Sequence, residues 1–196
     1  VLPSQPGTGA PTPVDVDEHC ADVTATVIDA ASQGLEVVRL VSGDPFLDGD
    51  IGAEAAAVAR ADYDVDVVPG VTGMTAVPEY AGLTLHGHDV QLIGDAACQR
   101  DIAGHGSNWS DQGLVVVNTE AGKLKEVVKH AIESGRGEDE PAALICHGAT
   151  TQQTTHTVTL GELPQTAKTA RLGDAEPVHV AIGKVVEALS LIHISD

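Results

Sequence analysis

Val37-Val-Arg-Leu-Val-Ser-Gly-Asp-Pro-Phe-Leu47 is the stretch on which the reading of this chain turns. Val37, Val38 and Leu40 are apolar and mostly β-branched, the composition of a strand buried inside a parallel sheet. Ser42-Gly43-Asp44-Pro45 then ends the run abruptly. Gly43 lets the backbone approach a ligand closely, Asp44 is a local acceptor, and Pro45 fixes φ and removes a ladder donor. Ligands of open α/β sheets sit just beyond the carboxyl ends of strands, so this is a candidate ligand loop. On spacing alone, an ordinary turn accounts for it better.

Around this stretch the apolar pattern alternates between the two periods. Val23, Val27, Ile28 and Ala31 share one face of a helix expected from Cys20 to Ser32, with Gly34 at its C′ position. Ile51 to Ala61 is Ala-rich and helical, with Asp50 as N-cap. Asp64 to Val68 alternates and reads as a second strand, closed by Pro69-Gly70. Thr72 is placed to cap a helix through Tyr80 that ends near Gly82. The order helix, strand, helix, strand, helix is that of a parallel βαβ-type unit. Further strands are expected at Val90 to Ile93, Leu114 to Val117, Ala142 to Cys146 and Val178 to Ile182, with an antiparallel one at Thr154 to Thr159. Helices are expected at Glu120 to Ser134, where Leu124, Val127, Val128, Ala131 and Ile132 share a face, at Leu160 to Thr169, and from Gly183.

These elements divide the 196 residues into a Pro/Gly-rich lead-in (1–17), an N-terminal α/β part (18–85), a C-terminal α/β part (86–190) with the junction near Leu85 to Asp89, and a tail (191–196) outside the helical pattern. A chain that enters a helix from such a lead-in lacks an obvious first strand. Aromatic content is only 2%, so the core is built from Val, Ala, Leu and Ile. The net charge of −19 disfavours nucleic acid and anionic membrane surfaces as partners. No apolar run reaches membrane length. Cys20, Cys98 and Cys146 lie far apart, without a CxxC, so neither a zinc site nor a disulfide framework is indicated; a cytoplasmic setting is expected. His86 and His88 beside Asp89 have metal-ligand spacing, but a solvated junction accounts for them better, and no metal is assigned.

Three small, Gly-containing loops follow strand ends: Ser42 to Pro45, Pro69-Gly-Val-Thr-Gly73, and His147-Gly-Ala-Thr-Thr151. They offer main-chain groups to a flat polar ligand such as an adenosine. No P-loop or GxGxxG is present. Val37 to Phe46, Val67-Val-Pro-Gly-Val-Thr72 and Ala76-Val-Pro-Glu-Tyr-Ala-Gly-Leu83, followed by Gly148-Ala-Thr-Thr-Gln-Gln153, Thr159-Leu-Gly-Glu-Leu163 and Val178 to Val186, resemble the tetrapyrrole methylases, most closely the uroporphyrinogen-III C-methyltransferase type. The resemblance runs from about Glu36 to Leu189. It implies two α/β domains with a cleft between them and S-adenosylmethionine as the cofactor. By motif position, Ser42, Gly43, Asp44, Leu47, Thr72, Gly73, Asn118 and Gly148 would contact that cofactor.

The departures from the family pattern are specific. The N-terminal strand with its loop, and the segments carrying the family's catalytic Asp and Lys, are missing, so no catalytic residue is assigned. The family's Lys before the Gly-Asp-Pro loop corresponds to Val41, its Arg after the Phe to Asp50, and its Thr-His-Arg to His86-Gly87-His88. A tetrapyrrole polycarboxylate is naturally held by Arg, and this chain has lost those cations. The resemblance therefore implies either a C-methyltransferase acting on uroporphyrinogen III in sirohaem, cobalamin or haem biosynthesis, or a catalytically decayed methylase domain that serves as structural partner of a fused uroporphyrinogen-III synthase. It also implies a possible homodimer.

Overall fold

The computed structural model describes residues 2–4, 23–49, 51–94 and 109–191, with the side chains of 2–4 and 190–191 not described. The chain packs as two units, Val1–Thr72 and Gly73–Asp196. The division falls before the helix that follows Thr72, earlier than the junction expected near Leu85. Val77 of that helix is 3% exposed in the core of the second unit, which draws the helix into it.

In the first unit, β1 (Leu2–Ser4) pairs antiparallel with β2 (Glu36–Val38), Leu2 opposite Val38 and Ser4 opposite Glu36. Three residues of the expected lead-in are thus a strand; the rest of it lies outside the described residues. Helix α1 (Val23–Ser32) ends where Gly34 turns left-handed at φ +77°, its N–H donating to Ala31 O and that of Leu35 to Ala30 O. Helix α2 (Ile51–Arg60) packs on α1, and Val27 and Val58 are their buried residues. The N-cap expected at Asp50 lies outside the described residues.

The strand expectations here need correction. Strand β2 stops at Val38, and Val38 and Leu40 are exposed rather than buried in a parallel sheet. Residues 64–68 form no strand; Val65, Val67 and Val68 are all exposed. An apolar alternation supplies a face for a strand but not the neighbouring edge whose N–H and C=O groups complete it. Among the described residues of this unit, β1 is the strand that supplies such an edge, and it pairs with β2.

In the second unit, β3 (Val90–Ile93), β4 (Leu114–Glu120), β5 (Pro141–Cys146), β6 (Thr154–Thr159) and β7 (Pro177–Ile182) form a sheet ordered β3-β4-β7-β5-β6. Strands β3 and β4 are parallel; every other pairing is antiparallel. Helices α4 (Leu124–Glu133) and α5 (Leu163–Thr169) cover one face, burying Leu124, Val127, Leu163 and Ala167 against Val115, Val117, Leu144 and Val180. Helix α3 (Gly73–Tyr80) and the 3-10 segment Lys184–Leu191 cover the other, placing Val77, Leu83 and Val186 against Val116, Ala143, Ile145 and Ala181. Burial on both faces is why β4, β5 and β7 carry largely apolar runs, whereas the edge strand β6 is partly exposed and rich in Thr.

Two helix starts differ from the periodicity. Residues 121–123 form a 3-10 turn before α4, because Ala121 N–H donates to Glu176 O and Gly122 N–H to Asp174 O across the sheet edge. Leu160–Glu162 is likewise 3-10, opened by a capping box between Thr159 and Glu162. Pro164 then sits in the first turn of α5, where its missing N–H costs no helical bond.

Candidate functional site

The sequence places candidate residues in both units. In the first unit the 42–48 loop folds around two carboxylates. Asp44 Oδ1 accepts from Phe46 N at 2.9 Å and Leu47 N at 3.1 Å, and its Oδ2 accepts from Gly70 N at 3.2 Å. Asp48 Oδ2 accepts from Asp44 N at 2.6 Å, and its Oδ1 accepts the Thr72 hydroxyl at 2.7 Å. The two aspartates therefore interlock the Gly43-Asp44 loop with the Gly70-to-Thr72 loop.

Glycine is required on both sides of that interlock. Gly43 has φ +72°, and a Cβ there would overlap the Asp48 carboxylate, 2.7 Å from its Cγ. A Cβ on Gly70 would strike the Gly43 carbonyl, 3.0 Å from its carbon. Ser42, Gly43, Asp44 and Thr72 are thus brought into one corner, with the Leu47 side chain 52% exposed beside it. Asp48 was not singled out from the sequence; the available signal was a second acid four residues after Asp44 in a Gly/Pro loop.

The N–H of Phe46 holds the Asp44 carboxyl below its ordinary value; partial desolvation opposes it, and the N–H groups of Gly70 and Leu47 reinforce it. A depressed carboxylate contributes its stabilisation above the unfolded-state value and loses it as pH falls through the folded value. The amide signals of Phe46, Leu47 and Gly70 are therefore expected to hold steady from neutral pH and to move together only below 3.8, the ordinary value. NMR titration checks this; a midpoint at or above that value contradicts the clamp.

In the second unit, the remaining candidates meet at the edge formed by the carboxyl ends of β4 and β5 and the start of β7. Asn118 and Ile145 lie opposite His179 on either side. Gly73 opens α3 over this row: a Cβ on it would stand 3.3 Å from His179 Nε2. One helical turn on, Val77 meets Gly148, whose absent Cβ would lie 2.5 Å from both Val77 methyls. Gly148 is flanked by two left-handed non-glycine residues, His147 at φ +51° and Ala149 at φ +56°. Gly73, Asn118 and Gly148 thus share the α3 side of this edge. His179 was missed; a histidine within the apolar run Val178 to Ile182 was the signal.

Cys146 is 1% exposed, and burial pushes its thiol up, with Thr154 opposing and Glu176 reinforcing the shift, so it is a core residue rather than a nucleophile. His86, His88 and Asp89 are exposed, and among the described residues no group of three potential ligands could hold a metal ion. None of the described helices is long and apolar enough to cross a membrane.

The family described as Tetrapyrrole (Corrin/Porphyrin) Methylases matches residues 5–164 of this chain. The chain belongs to the tetrapyrrole methylases. Siroheme synthase 1 of Serratia proteamaculans is 34% identical over 169 residues, which are 82% of this chain and 34% of that protein. This methylase chain therefore spans about a third of the length of such curated relatives. Uroporphyrin-III-C-methyltransferase from Thermus thermophilus has a TM-score of 0.68 at 25% identity, covering 87% of this chain and 74% of that one. A structure of that enzyme complexed with S-adenosylhomocysteine has a TM-score of 0.63 at 23% identity, covering 85% and 74%, a likeness of fold. The mixed α/β architecture is thus that of the methylase family.

Proposed function

We propose that this methylase chain is the cofactor-holding part of an S-adenosylmethionine-dependent C-methyltransferase acting on uroporphyrinogen III. The observation that carries the reading is the corner interlocked by Asp44 and Asp48, because it is made from two of the motifs by which the sequence resembles the family. The donor set suits the cofactor. Both corner carboxylates accept N–H or O–H groups of the two interlocked loops, which leaves main-chain atoms and the exposed Leu47 to face an adenosyl group. In the second unit, Gly73 and Gly148 give close main-chain approach beside Asn118.

S-adenosylmethionine supplies a methyl group that its sulfonium has already activated. The chain's part is to bind and orient; the residues proposed for this are Ser42, Gly43 and Thr72 within the first unit and Gly73, Asn118 and Gly148 within the second. Such positioning accounts for much of the rate of a group transfer between two bound reactants. Isothermal calorimetry with S-adenosylhomocysteine tests the reading. Saturable one-to-one binding is expected, and no heat at millimolar ligand contradicts it.

A second reading is favoured by a specific feature, the missing cations. Val41 and Asp50 stand where the family has Lys and Arg, in a chain of net charge −19. On this reading the domain is a decayed methylase serving as structural partner of a fused uroporphyrinogen-III synthase. Methylation of uroporphyrinogen by the full-length protein excludes it.

A further inference from the structure

The turn that carries Gly148 is strained where it matters. Non-glycine residues in the left-handed region are strained and persist when surroundings over-determine them. Here two of them bracket the glycine. Much of what holds the turn is local: Thr150 Oγ1 donates to His147 O at 2.7 Å, Gln153 N to Thr150 O at 3.1 Å, and Ala149 N to Gln153 Oε1 at 2.6 Å. These bonds shape the turn without anchoring it to a neighbouring element.

Glu176 supplies an anchor. The segment before β7 is fixed to the end of β4, since Glu176 O accepts from Ala121 N at 2.9 Å and Asp174 O from Gly122 N at 2.8 Å. The Glu176 carboxylate is held in turn, Oε2 accepting from Gly173 N at 3.1 Å. Its other oxygen, Oε1, lies 3.3 Å from His147 Nε2. A post pinned to β4 thus reaches across to the strained turn.

The geometry points to His147 and Glu176 as positioning residues: their pairing holds the Gly148 main chain where it meets Val77 and presents it to the cofactor. This rests on the cofactor reading above. The His147 and Glu176 side chains are 46% and 26% exposed, so the pairing is partly screened and its effect is modest.

The test uses the native chain, Glu176→Gln, His147→Asn and the double variant. Asn tolerates the left-handed region, so His147→Asn keeps the backbone of the turn while removing the imidazole. Each single variant is expected to weaken S-adenosylhomocysteine binding about three- to fivefold, with the double no weaker than either. Thermal midpoints are expected to stay close to native. Amide exchange at Ala149, Thr150 and Gln153 is expected to quicken by a similar factor in Glu176→Gln, with or without ligand. Native binding with unaffected single variants, or additive losses, overturns the pairing alone. No binding by the native chain overturns the cofactor reading and this role with it, and unchanged exchange in Glu176→Gln overturns the anchor independently of any ligand.

Discussion

Arg136→Met is expected to lower the unfolding free energy of the second unit by about 3–5 kcal/mol, the usual cost of removing one member of a buried ion pair. The Arg136 side chain is fully buried, and its Nη1 lies 2.6 Å from Glu140 Oε1. Nε donates to Ser110 O at 2.7 Å, and Nη2 donates to Gln112 O at 2.9 Å and Gly113 O at 3.3 Å. One guanidinium therefore ties the lead-in to β4 to the loop between α4 and β5. Methionine fills much of the volume but leaves several carbonyls and a largely buried carboxylate without that donor. Arg136→Lys keeps the charge and loses the fork, so an intermediate loss is expected. Urea unfolding followed by circular dichroism measures both; a loss under about 1 kcal/mol for methionine contradicts this account.

Gly70→Ala is expected to reduce S-adenosylhomocysteine affinity by about tenfold or more while leaving the far-ultraviolet spectrum unchanged. The new methyl would meet backbone, the Gly43 carbonyl and, at 3.5 Å, Asp44 Cα, so no side-chain rotation relieves it. The loops must part, and the Gly70 N–H then leaves Asp44 Oδ2. Gly94→Ala is the control, because among the described residues nothing lies within 4 Å of a Cβ there. Equal calorimetric affinities for Gly70→Ala and Gly94→Ala contradict the proposed role of the corner.

Much of the second unit was legible from local pattern. Val90–Ile93 forms the expected strand, and Leu124, Val127 and Ala131 are the buried residues of α4. Thr154–Thr159 pairs antiparallel as its β-branched run suggests. The first unit was less legible, because Val65 and Val67 alternate as a strand does yet have no strand edge to join among the described residues. In the site, the glycines were readable because each is a residue type with one purpose, close approach. Asp48, His179 and Glu176 were not, because each acquires its role from a partner distant in sequence or from the shape of a loop.

Sequence alone determined the family, the order of helices and strands in the second unit, and which loops carry glycine, since periodicity and turn chemistry act over a few neighbouring residues. Tertiary structure decided which strands find an edge, where the chain divides, and that Arg136 and the Asp44–Asp48 pair are structural fasteners. Those outcomes depend on donors and acceptors meeting across long separations, and spacing along the chain does not encode that meeting.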